Sequence, residues 1–185
     1  EEWEFMAKQS LNLLRENFLK YLLNSDIEDE KSVKYKLDNL HIELEEKQIV
    51  CLLIEIDGYK ELEEKYSYEH LQILCLSCIN TANEVIKQYC KGVSFRYERF
   101  SLVALLNIPI CSKKQLDEKI FGFANELQRS IKNYISLSVS IGISDVFNGY
   151  KNIRLAFQQA KKAVDHKFTL GKGRIIKYDT IQNCV

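Results

Sequence analysis

An apolar run that ends in two carboxylates and a glycine constrains the fold of this chain more than any other stretch. From Ile49 to Lys60 the sequence is IVCLLIEIDGYK, and it passes directly into helix-like sequence. A short run rich in Ile, Val and Leu predicts a central strand that is buried on both faces. In open α/β sheets, ligands bind just beyond the carboxyl ends of such strands. Glu55 and Asp57 are therefore candidate residues of a metal–nucleotide site.

Hydrophobic periodicity predicts the other elements. Apolar residues that alternate with serine and glycine from Ile135 to Ser144 predict a strand with one apolar face and one small, polar face. Two strands, 93–97 and 100–106, are predicted to form a hairpin through Glu98 and Arg99. Helices are predicted at 3–24, 33–40, 59–65, 68–89, 115–134 and 150–167, and a last strand at 174–178. After the first two helices the order is β-α-β-β-α-β-α-β, which predicts an α/β or α+β sheet covered by helices.

The chain divides by sequence pattern into two parts. Residues 1–47 are predicted to form an N-terminal linker helix and a short helix, and residues 48–185 the sheet domain. Apolar residues of the first helix follow a heptad spacing that favours either a partner helix or the chain's own sheet. These candidate interface residues are Ala7, Leu11, Leu14, Phe18 and Tyr21. Because the sequence starts without Met and with helix-like sequence, we expect it to be a segment of a longer protein.

Composition excludes several classes of function. Lys plus Arg equals Asp plus Glu, 26 against 26, which disfavours a strongly basic nucleic-acid binder. No apolar run approaches the roughly 20 residues that cross a bilayer. A Cys-x-x-Cys pair at Cys75 and Cys78 lacks a second pair or a suitably spaced His, so we expect reduced, structural cysteines in a cytoplasmic protein and neither a metal site nor a cofactor.

Three segments occur in an order and spacing that are typical of one domain family. They are IEIDGYKELEEKY at 54–66, FRYERFSLVALL at 95–106 and LSVSIGIS at 137–144, and GKGR follows at 171–174. Together they resemble the GGDEF domain, the diguanylate cyclase fold, with its D-x-D-x-F-K strand and helix, its R-Y-G-G-D-E-F hairpin, its later strand and its last turn. The resemblance covers residues 49–179, about the whole chain after the first two helices.

The same resemblance implies that this nucleotide site is degenerate. Arg96 and Tyr97 match R-Y, but Glu98 and Arg99 stand where the two glycines are expected. Side chains at these positions obstruct the close approach of nucleotide phosphates to the backbone. The counterparts of the signature acids and of the guanine-reading residues also differ from the family pattern, so we expect no catalytic residue and no enzymatic activity. The predicted degenerate site consists of Glu55, Asp57, Glu63, Gln72, Glu98, Arg99, Phe100 and Ser101.

A narrower resemblance concerns the first helix. LRENFLKYLLNSD at 14–26 is similar to the linker helix that follows the receiver domain in AraC/YesN-type response regulators. This resemblance implies a middle domain, with a receiver and DNA-binding domains outside the segment. It also implies a homodimer through the first helix, and no direct contact of this segment with nucleic acid or membrane.

Three functional hypotheses follow. The first is a non-catalytic regulatory domain that relays a signal and self-associates within a two-component transcription factor. The second is a small-molecule or nucleotide sensor, in which an anionic ligand contacts Arg96, Lys172 and Arg174. The third is a diguanylate cyclase with atypical metal ligands.

Overall fold

A single five-stranded sheet organises the computed structural model, which describes residues 2–109 and 112–182. The strands of this described part are β1 (Ile49–Ile56), β2 (Lys91–Glu98), β3 (Ser101–Asn107), β4 (Val139–Ile143) and β5 (Ile175–Lys177). Their order across the sheet is β2-β3-β1-β4-β5. The pairs β2–β3, β3–β1 and β1–β4 are antiparallel, and β4–β5 is parallel. This confirms the predicted mixed fold of sheet and helices.

Helices connect the strands and cover both faces of the sheet. They are α1 (Glu2–Asn24), α2 (Glu30–Asn39), α3 (Tyr59–Lys65), α4 (Tyr68–Tyr89), α5 (Lys113–Ile135), α6 (Ile153–Asp165), α7 (Lys167–Leu170) and α8 (Tyr178–Gln182), with a 3-10 turn at Tyr150–Asn152. Helix α2 begins earlier than predicted because Asp29 caps it by accepting a hydrogen bond from the Lys31 amide at 3.0 Å. Among the described residues, no helix is long and apolar enough to cross a membrane.

Strand β1 separates two hydrophobic cores, as its apolar run predicts. Val50, Leu52 and Ile54 lie in the core that contains the apolar faces of α4 and α5. The alternate residues, including Leu53, lie in the core that contains residues of α6, α2 and the last turns of α1. Because successive side chains of a strand point to opposite faces, a continuous apolar run satisfies both cores at once.

Strand β4 differs from its prediction. It is shorter, and all five of its residues are buried, so its polar face does not meet solvent. Gly142 explains part of this burial, because a Cβ there would lie 2.1 Å from the carbonyl oxygen of Ala160 and 2.6 Å from the Val164 nitrogen. The missing side chain lets the backbone of α6 pack directly on β4. Ile135, the first residue of the predicted strand, instead ends α5, and Ser136 caps that helix in a left-handed conformation with φ of 61°.

The described cysteines are free thiols, as expected. Cys51, Cys75 and Cys78 are buried and Cys90 is partly buried. Burial raises the pKa of the Cys78 thiol to about 12 and that of Cys90 to about 11. Cys111 and Cys184 lie outside the described residues.

Candidate functional site at the end of strand β1

The carboxyl end of β1 and residues of its two antiparallel neighbours, β3 and β4, together form one site. Glu55 pairs in register with Ser101 of β3 on one side and with Ser140 of β4 on the other. The prediction of a site here relied on the geometry of parallel sheets, whereas three of the four strand pairs are antiparallel. The site consequently combines the end of β1 with the β2–β3 turn and the start of β4.

Asp57 is buried and fully engaged by neighbouring donors. The hydroxyl groups of Ser138 and Ser140 each donate to its carboxylate at 2.7 Å. The Gly173 amide donates to the same carboxylate at 3.0 Å and to the Ser140 hydroxyl at 3.1 Å. Three donors stabilise a buried negative charge without a metal ion. These partners were not predicted, although the regular serines of 136–144 were the signal, because the strand was predicted to have a small, polar face with no partner assigned to it.

Lys167 supplies the positive charge at this strand end. Its ammonium donates to Glu55 Oε2 and lies 3.8 Å from Asp57 Oδ1. The exposed fractions of the three side chains are 14% for Lys167, 27% for Glu55 and 2% for Asp57, so water screens the contact only partly. Nearby, burial and then the charge of Glu55 raise the pKa of Asp165. Lys167 was not predicted, and no local pattern marks a partner that is 112 residues away in sequence.

These residues do not fit the divalent metal ion that the family resemblance implies. A cation bound by Glu55 and Asp57 would compete with the Lys167 ammonium, which already contacts both groups. Both Asp57 oxygens already accept hydrogen bonds from hydroxyl groups. Within the described ranges, no group of three or more His, Cys, Asp or Glu side chains is arranged to hold a metal.

The β2–β3 turn carries side chains at the two positions where the family signature has glycines. It lies at Arg99 and Phe100, one residue later than predicted, and the ladder shifts register between Arg96 and Glu98. The Phe100 ring stacks on Tyr59 with centroids 5.2 Å apart. The Glu98 amide donates to the Ser101 hydroxyl at 3.2 Å, which places both residues in the turn, whereas the Glu98 side chain is exposed.

Glu63 and Gln72 of the predicted degenerate site and the predicted anion-binding residues contact one another or their own chain. Arg99 forms an ion pair with Glu63 at 2.7 Å, and Arg96 donates to the Gln72 side chain. Lys172 lies 3.6 Å from Glu61, and Arg174 donates to the Leu170 carbonyl at 3.1 Å. The structure thus gathers the predicted residues into three neighbouring clusters, at the β1 end, at the β2–β3 turn and at the 171–174 turn.

Several solved structures share this fold at low sequence identity. The active GGEEF domain of a diguanylate cyclase from Vibrio cholerae superposes with a TM-score of 0.59 at 14% identity, covering 80% of this chain and 90% of that one. The GGDEF domain of DgcB from Caulobacter crescentus, solved with c-di-GMP, gives 0.53 at 13% identity, covering 81% and 90%. A GGDEF domain from Pseudomonas aeruginosa gives 0.54 at 16% identity, covering 80% and 86%. A search of curated proteins found no match.

The prediction that the chain is not an enzyme is contradicted by these neighbours, because the domains that share its fold are diguanylate cyclases, which are enzymes. The prediction rested on the signature positions of the β2–β3 turn. Replaced residues at that turn do not by themselves show that activity is absent.

The family assignment rests on the sequence itself. The profile of a family described as a GGDEF-like domain matches residues 24–166, a range that contains β1 to β4 and helix α6. The likeness to solved GGDEF domains agrees with this match in the overall fold. The chain therefore belongs to the GGDEF-like domain family.

Proposed function

We propose that this domain is a regulatory module that relays a signal by self-association through α1, within a two-component response regulator of the AraC/YesN type. The proposal includes a receiver domain and DNA-binding domains elsewhere in the longer protein. It is supported by the similarity of residues 14–26 to the linker helix of such regulators and by the exposed apolar face of α1.

The two sides of α1 have different surroundings, and this carries the proposal. On one side, Leu19, Leu22 and Leu23 are buried in the core beneath the sheet. The other side, about half a turn away at 3.6 residues per turn, leaves large apolar side chains in water. These exposed residues are Trp3, Met6, Leu13, Leu14 and Tyr21. Several large apolar side chains exposed on one face of a helix are typical of a protein–protein interface.

The predicted heptad stripe lies partly on this exposed face. Leu14 is 57% exposed and Tyr21 is 49% exposed, and Ala7 is exposed as well. Leu11 and Phe18 are half-buried, and Phe18 stacks on Tyr21 with ring centroids 6.3 Å apart. A second copy of α1 would cover the exposed members, since apolar side chains at heptad spacing pack between two helices.

The C-terminal end of α1 is packed in the core, and through it a change at α1 can reach the rest of the domain. Leu19 and Leu22 share a core with Ile153 and Phe157 of α6. Helix α6 in turn leads to Lys167 at the end of β1. A change in the pairing of α1 would thus act on a packed element that reaches the candidate site, which is the kind of coupling that two interface states require.

Sedimentation velocity over a range of concentrations tests the proposal with matched variants. The wild-type chain is expected to approach twice its 21.7 kDa mass as concentration rises. Leu14→Glu places a charge on the exposed apolar face and is expected to keep the chain monomeric. Asn12→Glu adds the same charge on the same helix, away from that face, and is expected to behave as the wild type.

The same measurement on the longer protein, with and without a phosphoryl donor for the receiver, decides the outcome. If both proteins stay monomeric throughout, or if Leu14→Glu associates as the wild type does, the proposal is wrong.

A second candidate function is the sensing of an anionic ligand such as a nucleotide. The observation that favours it is that Arg99 and Lys172 hold their partners through exposed ion pairs. Such pairs contribute little to stability, so a phosphate group can take the place of the carboxylates. Thermal unfolding with and without nucleotides and Mg²⁺ tests this function, and no shift in the melting temperature for any nucleotide would argue against it.

A further inference from the structure

We propose that Glu30 of α2 is an external cap for the start of α6, and that through this contact the first two helices control the first turn of α6. Glu30 is thereby a positioning residue, since it acts on another element of the chain. The cap itself does not depend on the function proposed above, whereas its regulatory use rests on self-association through α1.

The start of α6 has no side-chain cap from its own sequence. The chain enters it through Gly149 and the 3-10 turn, and among the described residues neither Gly149 nor Asn152 makes a side-chain cap bond. The first amides of a helix have no partner within it and need an acceptor from elsewhere. Glu30 supplies one, because its Oε1 accepts a hydrogen bond from the Lys151 amide at 3.0 Å, across 121 residues of sequence. Its carboxylate also complements the positive end of the helix.

The backbone before this turn leaves room for the carboxylate. Gly149 has a φ of 87°, and a Cβ there would lie 2.7 Å from Glu30 Oε1. A side chain at this position would therefore displace Glu30, besides straining the backbone. The next residue, Tyr150, is buried, and its hydroxyl group donates to the Leu44 carbonyl at 2.9 Å. The turn is thus held in place, and Glu30 meets the Lys151 amide at a defined position.

Helix α2 connects this cap to α1. Glu30 is the first residue of α2, and Leu40 follows its last residue. The guanidinium of Arg15 in α1 donates to the Leu40 carbonyl at 2.6 Å, and Leu22 of α1 shares a core with Val33 of α2. A movement of α1 therefore acts on α2 along its length, and α2 carries that movement to the start of α6. Small displacements between packed elements of this kind are one of the ways in which proteins transmit a signal.

Hydrogen exchange of the Lys151 amide, followed by NMR on the whole chain, tests the cap. Glu30→Ala removes the acceptor, so this amide is expected to exchange at least about tenfold faster than in the wild type. Glu30→Gln keeps an acceptor oxygen at the same distance from the backbone and is expected to stay within about threefold of the wild type. Glu28→Ala is the matched control, because it removes an exposed carboxylate two residues earlier, and it is expected to exchange as the wild type does.

A second variant reaches the same contact from the other side. Gly149→Ala displaces the Glu30 carboxylate without removing it and is expected to accelerate the exchange of the Lys151 amide as Glu30→Ala does. The cap is refuted if either variant, once circular dichroism shows that it is folded, exchanges this amide within about twofold of the wild type.

The association state of the wild-type chain tests the regulatory use. Pairing of α1 is expected to restrain α2, so the Lys151 amide should exchange at least about threefold more slowly in the dimer than in the monomer, as identified by sedimentation. In Glu30→Ala the two rates should be equal. Equal rates in the wild-type dimer and monomer would overturn the regulatory use and leave the dimer intact. A wild-type chain that stays monomeric would refute the proposed function and the regulatory use together, whereas the cap is judged by the variants alone.

Discussion

Replacing Gly142 by alanine is expected to destabilise the domain strongly, because β4 and α6 are in backbone contact at this residue. The added Cβ would lie 2.1 Å from the Ala160 carbonyl oxygen and 2.9 Å from Val164 Cβ. Neither atom belongs to a flexible side chain, so the helix would have to move away by about 1 Å, the overlap that remains after ordinary contact distances are allowed. Such a movement would separate α6 from the core that it shares with β1.

The magnitude follows from the cost of overpacking a rigid site. Inserting one methyl group into a packed core costs about 1–3 kcal/mol, and backbone obstacles place this substitution near 3 kcal/mol. With a denaturant dependence of about 2 kcal/mol per molar urea, the midpoint of unfolding should fall by about 1.5 M.

Gly122→Ala is the matched control for this experiment. Gly122 lies inside helix α5, and a Cβ there would meet no atom within 4 Å. Alanine in an exposed or half-exposed helix position is favoured over glycine, so this variant should gain about 0.5–1 kcal/mol. Urea unfolding followed by circular dichroism measures both variants. If Gly142→Ala unfolds within about 0.5 kcal/mol of the wild type, the close approach of α6 to β4 is refuted.

Three further predictions concern other parts of the domain. Phe100→Ala should lower the free energy of unfolding by about 1–2 kcal/mol, because it removes a half-buried ring that stacks on Tyr59. Phe168→Ala is the control, because this ring is largely exposed and its loss should change the free energy by less than about 0.5 kcal/mol. Urea unfolding compares the two variants. Although burial acts to lower the pKa of Lys177, its hydrogen bonds to Asp117 and to a second aspartate raise it overall. The contact therefore stabilises the fold fully below the unfolded lysine pKa of about 10.4, and this stabilisation is lost as the pH rises through the higher folded pKa. In urea unfolding at pH 8, the wild type should be about 1 kcal/mol more stable than Asp117→Asn. This difference should shrink as the pH is raised above the folded pKa of Lys177. Burial raises the pKa of the Cys78 thiol to about 12. At pH 8 this thiol should therefore be alkylated on the order of a thousandfold more slowly in the native chain than in urea, as measured by peptide mass spectrometry. Equal rates would contradict its burial.

The sequence predicted the elements whose signals are local. The apolar run of β1 and the 3.6-residue period of the helices predicted the central strand, the long helices and the mixed fold, since burial on one or two faces leaves a direct imprint on residue order. Helix α8 was not predicted, and β4 is shorter than its prediction. The resemblance also directed attention to Glu55 and Asp57, which do lie together at the end of β1.

The sequence failed where the environment of a residue is set by distant parts of the chain. Ser138 and Ser140 alternate with apolar residues in the way that solvent-facing residues do, yet they bond to Asp57. Ser140 is fully buried because the Asp57 carboxylate accepts a hydrogen bond from its hydroxyl group, whereas Ser138 stays exposed while it donates to the same carboxylate. Lys167 gave no signal at all, since a lysine after a helix normally remains in water. These errors share one cause. A buried carboxylate requires hydrogen-bond donors and a positive charge beside it, and the sequence does not show which distant residues supply them.

The charges at the β1 end also determine which ligands reach it most easily. Any ligand must displace a contact that the chain already makes. At the rim, Arg99 and Glu63 form an exposed pair worth about 0–1 kcal/mol, so an anion loses little by separating them. At the centre, Lys167 is shielded from water and is held by two carboxylates, so a metal ion must displace a contact that costs more to break. The site is therefore expected to accept anionic groups at its rim more readily than divalent cations at its centre.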